Sequence, residues 1–347
     1  MNTRNSAAVL LAKKKYSSER ESTLIIENWI RNLEIYWGWI NDFNKIIAQY
    51  VTFSKYFKQL KVLQGHSHYV NSVTFSRDST KVLSSSFDKT SRIWDIITEH
   101  EIQVFKNHLF WVNYAQFSPD YNMILSCSKD KTIRLCDIRT GKEIRRFEGH
   151  SNDITKSNFS FDGHTIISSS LDRTIRLWDV KSGQEIKRMV GHLEGVTSAQ
   201  FSPNGQIIVS SSYDKTVAIW DIQSGEKLQE LNGHSDAVLK AQFSSDGNII
   251  VSCSYDKTIC IWDVMSGKEI KTLKGHLGGL RDVQFSPDNQ IIASASSDKT
   301  VRLWDVHSGK EMQKLEGHLD WVTSVAFSKD GQTIVSSSLD KTIRLWG

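Results

Sequence analysis

The stretch "SSSLDRTIRLWD" runs from Ser168 to Asp179, and His150 lies a short way upstream. Serine, histidine and aspartate on one chain suggest a hydrolase. The same residues recur along the rest of the sequence. Gly-His occurs at Gly65-His66, Gly149-His150, Gly191-His192, Gly233-His234, Gly275-His276 and Gly317-His318, and Asn107-His108 fills the one gap. Consecutive histidines of this series stand 42 residues apart. Trp-Asp keeps the same step at Trp94, Trp178, Trp220, Trp262, Trp304 and Trp346 (where Gly347 follows), with Cys136 in the missing place. Phe-Ser repeats at Phe75, Phe117, Phe159, Phe201, Phe243, Phe285 and Phe327.

Each unit reads as four short strands. "VTSAQF" (Val196 to Phe201) alternates apolar with small or polar residues, as a pleated strand does. "SPNG" (Ser202 to Gly205) is a turn, with Pro203 pre-setting φ and Gly205 closing it. "QIIVSSS" and "TVAIWD" are two further β-rich runs joined by a tight turn at "YDK", and "EKLQEL" (Glu226 to Leu231) is the fourth. Such a meander cannot bury both faces alone, so neighbouring units must stack on it.

Both ends predict a closed ring. The last unit stops at "TIRLWG", after a third strand. "YFKQLKVLQGH" (Tyr56 to His66) aligns with "SGKEIKTLKGH" (Ser266 to His276), a fourth strand without a unit of its own. The simplest geometry lays it on the final sheet, which protects edges that would otherwise invite aggregation.

A period of about 40–45 residues with Gly-His and Trp-Asp marks is the signature of WD40 blades. Residues 54–347 resemble a seven-bladed WD40 β-propeller. The expected fold class is therefore all-β: a propeller closed by an N-terminal strand in its last blade, preceded by a short α-helical extension.

In a meander, the Gly-His loop and the turn carrying Asp172 fall at the same end of the blade. A hairpin centred on the residue after Asp172 places Ser168 opposite Trp178. His150, Ser168, Asp172 and Trp178 can then form one hydrogen-bonded chain. The resemblance implies the same structural tetrad. The corresponding sets are His66/Ser84/Asp88/Trp94, His192/Ser210/Asp214/Trp220 and His234/Ser252/Asp256/Trp262, then His276/Ser294/Asp298/Trp304 and His318/Ser336/Asp340/Trp346. His108/Ser126/Asp130 lacks its tryptophan. A hydrolase would need an exposed serine, a cleft and an oxyanion hole. Seven identical clamps are a better reading than seven identical active sites. With Cys136 and Asn107 in it, blade two is expected to be the softest.

Function on such a frame falls to the rim. The residue before the first strand reads Tyr69, Trp111, Asp153, Gly195, Ala237, Gly279 and Trp321. The residue before the tetrad aspartate reads Phe87, Lys129, Leu171, Tyr213, Tyr255, Ser297 and Leu339. Blades seven, one and two are aromatic, with Phe110 beside them, whereas Gly195, Ala237 and Gly279 leave the other side open. Clustered exposed aromatics are typical of binding hot spots. The candidate partner-binding residues are Tyr69, Phe87, Phe110, Trp111, Lys129, Leu171, Tyr213, Tyr255, Arg281, Trp321 and Leu339. A cationic ring (Lys89, Lys131, Arg173, Lys215, Lys257, Lys299 and Lys341) could attract an acidic or phosphorylated peptide, although polar turn residues belong there in any blade. "LCDIR" (Leu135 to Arg139) resembles, without its tryptophan, the W-D-x-R box of substrate receptors in cullin-RING ubiquitin ligases.

The 347 residues are 39% hydrophobic and 24% charged, with a net charge of +4 that does not by itself argue for nucleic acid binding. Cys127, Cys136, Cys253 and Cys260 form neither C-x-x-C pairs nor a metal-ligand cluster, and read as free thiols. No metal or cofactor is expected. "AAVLLA" (Ala7 to Ala12) is too short for a signal-peptide core, and no apolar run approaches a membrane span. An intracellular protein, cytoplasmic or nuclear, is expected. Residues 1–20 are polar and read as a disordered tail, and 21–53 as an amphipathic helical segment. Within it, apolar residues from Ile26 to Tyr50 recur at three- and four-residue steps. Its apolar face suggests docking on the propeller or self-association through residues 22–51, rather than membrane contact.

Together these readings predict a non-catalytic interaction scaffold with protein or peptide partners. A substrate-recognition subunit of a cullin-RING ligase is the alternative.

Overall fold

A computed structural model describes residues 56–347; the expected tail and helical segment lie outside the described residues. The described chain forms 28 strands in seven four-stranded antiparallel sheets. Blade one spans 70–105, blade two 112–148, blade three 154–190 and blade four 196–231. Blade five spans 238–274 and blade six 280–315, and blade seven combines 322–346 with 59–64. The first strands of consecutive blades pack side by side around the axis and line its channel.

Blade four shows how the sequence sets each sheet. Its strands are Val196–Phe201, Ile207–Ser212, Val217–Asp221 and Lys227–Leu231. Gly205 sits at φ +68°, a left-handed conformation that glycine adopts without steric cost, and its N–H closes the turn onto Ser202 O at 2.9 Å. The first strand is not evenly pleated. A bulge between Val196 and Ser198 breaks the alternation, and the Thr197 hydroxyl donates to Val238 O of the next blade at 2.7 Å.

The cores lie between blades. Ile167, Ile175, Leu177 and Met189 of blade three pack on Val196, Ala199, Ile208 and Trp220 of blade four. Six further clusters repeat this arrangement around the ring. Each indole therefore fastens its own blade to the preceding one, and a single sheet has no core of its own.

The strand Gln59–Gln64 runs antiparallel to Thr342–Trp346, with Lys61 opposite Leu345 and Leu63 opposite Ile343. Just before it, Phe57 N–H donates to Gln313 Oε1 (2.9 Å) and Gln313 Nε2 donates to Phe57 O (2.6 Å). Thr323 Oγ1 donates to Val70 O at 2.7 Å, the bond that Thr155 makes to Val196 O at 2.8 Å elsewhere in the ring. The seam between blades seven and one is thus built like the others.

Candidate protein-interaction face

Each blade gathers its polar set at one end. In blade three, His150 Nδ1 lies 2.7 Å from Asp172 Oδ2, and His150 Nε2 lies 2.8 Å from Ser168 Oγ. Trp178 Nε1–H donates to Ser168 Oγ at 2.8 Å. The expected pairing of Ser168 with Trp178 is corrected: the hairpin centres on Asp172, so Ser168 faces Arg176 and Trp178 faces Ile166. The same correction applies to the serines of the other complete tetrads. Ser84 faces Arg92 rather than Trp94, and Ser210 faces Ala218 rather than Trp220. Ser252 faces Cys260 rather than Trp262, Ser294 faces Arg302 rather than Trp304, and Ser336 faces Arg344 rather than Trp346. Each indole reaches its serine diagonally, across two positions on one face.

The histidine–aspartate and histidine–serine contacts recur in all seven blades at 2.7–2.9 Å. The indole bond recurs in every blade but the second.

With a neutral imidazole, the chain runs from indole to serine, serine to histidine and histidine to carboxylate. Burial lowers the pKa of His66, His150, His276 and His318, which keeps the acceptor nitrogen free of a second proton. Burial works against each tetrad carboxylate. Hydrogen bonds from its histidine, a threonine and the backbone outweigh that and hold it well below the usual range. Ser84, Ser168, Ser210, Ser252, Ser294 and Ser336 are all fully buried, so none of these oxygens can meet a substrate.

The same end of the ring carries the candidate rim. Phe87 of blade one and the Trp111 ring of blade two are stacked at 4.1 Å and 3°. Tyr69 leans on Phe87 at 5.7 Å, Lys129 Nζ sits 4.3 Å over the Trp111 ring, and Lys89 stands 5.9 Å from Phe110. A groove of about 400 Å³ adjoins them, lined by Lys89, Arg92 and Lys106 with Asp88. Across the rim, the Arg281 guanidinium lies 4.6 Å over Trp321 and 5.9 Å from Tyr255. Phe110, Trp111, Tyr213 and Trp321 are exposed; Tyr69, Phe87, Lys129, Leu171, Tyr255, Arg281 and Leu339 are half-buried. The rim is not open at its glycines. A Cβ on Gly195 would meet Leu171 at 2.8 Å and Tyr213 at 3.3 Å, and one on Gly279 would meet Tyr255 at 2.6 Å.

Segments 57–95, 99–137, 141–179, 183–221, 225–263, 267–305 and 309–347 match the family described as "WD domain, G-beta repeat". The chain belongs to the WD40 family. A comparison with curated proteins found no match. Each WD40 segment begins on the outer strand of one blade and ends on the third strand of the next, so the repeats interlock around the ring.

Other features of this WD40 propeller divide between turn and channel. Lys89, Lys131, Arg173, Lys215, Lys257, Lys299 and Lys341 all adopt φ between +67° and +74°, so the cationic ring occupies the left-handed position of its turns. Asp137 closes on its own turn through Thr140 N (2.7 Å) and Oγ1 (2.6 Å), as Asp179 does through Ser182 N (2.6 Å). The Asp-x-Arg of "LCDIR" is therefore built like the other blades, with Arg139 exposed. Burial pushes the Cys136 thiol to about 11 and those of Cys127 and Cys260 to about 12, so none is a thiolate at neutral pH. Among the described residues, no helix is long and apolar enough to cross a membrane, and no cluster of His, Cys, Asp and Glu could hold a metal.

The sequence reading missed the channel. The third residue of each inner strand reads Ser72, Tyr114, Lys156, Ser198, Lys240, Asp282 and Ser324. This irregularity among near-copies was the available signal.

Proposed function

We propose that this propeller is a non-catalytic scaffold that binds a protein or peptide segment on the Gly-His face, anchored at Phe87 and Trp111. The stacked pair carries the reading. Its two rings come from different blades, Trp111 is 38% exposed, and their parallel contact orders them before any partner arrives. Pre-ordered aromatic anchors bind with little further entropy cost. Lys129 and Arg281, each over an aromatic ring, favour a partner with acidic groups near its apolar anchor. The buried tetrad serines support a structural rather than a catalytic role. Four unpaired thiols fit a setting inside the cell.

Capture from cells with wild type and with Trp111→Ala plus Trp321→Ala tests this reading. Selective loss of partners from the folded variant is expected. An unchanged partner set would remove the aromatic rim from the account. Cullin-ligase components in the wild-type fraction would instead identify a substrate receptor.

A further inference from the structure

Charged groups from three blades, Lys156, Lys240 and Asp282, influence one another around the axial channel. Lys240 Nζ of blade five lies 2.5 Å from Asp282 Oδ1 of blade six. Asp282 Oδ2 already accepts from Ser324 Oγ at 2.7 Å and from Val325 N–H at 3.1 Å, so this carboxylate is fully engaged. Lys156 of blade three has no such partner. Its ammonium lies 4.7 Å from the centre of the Tyr114 ring of blade two, and no described carboxylate comes within ion-pair distance of it.

The imbalance is electrostatic. Two amines share one carboxylate, so the cluster carries one uncompensated positive charge whenever Lys156 is protonated. A buried cation without a counter-ion is costly. Burial first, and repulsion from Lys240 second, lower the Lys156 pKa to about 7 despite the attraction of Asp282. Lys156 and Tyr114 are only partly buried, so both residues keep some surface in contact with solvent. Cys127 and Cys253, the other titratable groups in range, stay protonated and add no charge.

We propose that the channel binds one small oxyanion of the sulfate or phosphate class, seated on the Lys156 ammonium beside the Tyr114 ring. Such an ion completes the charge balance and gives the ammonium the acceptor it lacks. The site is separate from the aromatic rim and does not depend on the partner reading.

The test is a titration of the full chain with sodium sulfate against chloride at constant ionic strength, followed by thermal unfolding. Wild type should show a saturable rise in melting temperature in the low millimolar range, unlike the gradual effect of sulfate as a bulk co-solvent. Lys156→Met should weaken sulfate binding at least about tenfold, because the charge that seats the ion is gone. Asp282→Asn keeps acceptors for Ser324 and Val325 but removes the competing carboxylate, so it should bind sulfate more tightly. No saturable response in wild type would overturn the proposal. So would a Lys156→Met response equal to wild type, or weaker binding by folded Asp282→Asn.

Discussion

Asn107 Nδ2 lies 2.8 Å from Cys136 Sγ, in the space that a tryptophan ring occupies in the other six blades. Elsewhere a glycine precedes the histidine because the indole leaves no room. A Cβ on Gly191 would stand 2.9 Å from Trp220 Cη2, and one on Gly233 would stand 2.8 Å from Trp262 Cη2. The two departures in blade two are therefore one exchange: a smaller sulfur side chain on one strand and a larger amide on the facing loop. Cys136 remains fully buried within the core between blades one and two.

This pairing makes Cys136→Trp and Asn107→Gly interdependent. Cys136→Trp alone forces the indole against Asn107 and should cost about 1–3 kcal/mol. Adding Asn107→Gly should recover most of that loss, with a coupling on the order of 1 kcal/mol or more. Urea unfolding of the four proteins measures it; additive effects would show the two sites to be independent.

Tetrad serines should differ in value between blades. Ser210 Oγ meets both His192 Nε2 and Trp220 Nε1 at 2.7 Å, whereas Ser126 serves His108 alone at 2.9 Å. Ser210→Ala should cost about 1–3 kcal/mol by leaving two buried groups unpaired, and Ser126→Ala less. Hydrogen exchange in wild type should also be faster over Thr132–Asp137 of blade two than over Val301–Asp305 of blade six. Equal costs and equal exchange would place blade two on a par with the rest.

The architecture was open to reading because its markers are periodic and local. Histidines 42 residues apart count the blades, and "VTSAQF" bounds a strand that runs from Val196 to Phe201. What escaped depends on reach in space. The indole of Trp178 meets Ser168 from a diagonal position, and the bulge turns Thr197 toward the next blade. Tyr255 covers Gly279, so a small residue at the rim did not mean an opening. Lys156 and Asp282 lie three blades apart in sequence and influence each other only across the axis of a closed ring.

Acid should weaken the ring in two stages. His66, His150, His276 and His318 have folded pKa values below the ordinary 6.5, so the unfolded chain binds more protons as pH falls below that value. The seven tetrad carboxylates have folded values below the ordinary 3.8, so their contribution is full above it and is lost at lower pH. The melting temperature should first decline below about pH 6.5 and fall more steeply below about pH 4. A melting temperature that rises on acidification from pH 7 to 5 would contradict this assignment.

Closure gives Leu63 the weight of a core residue although it precedes the strands of blade one. It is 1% exposed and packs with Val70, Val73, Trp94 and Ile343. Leu63→Ala should cost about 2–5 kcal/mol. A cost below about 0.5 kcal/mol, the range of surface substitutions, would mean that the final blade does not rely on this strand.

Buried tetrads form the frame, and the proposed partner site lies on the rim. Melting temperature and partner capture, measured together for Ser210→Ala and for Trp111→Ala plus Trp321→Ala, test that separation most directly. The frame variant should melt lower yet keep its partners, and the rim variant should lose partners at an unchanged melting temperature. The reverse pattern, with partners lost by the stable serine variant and kept by the rim variant, would contradict it.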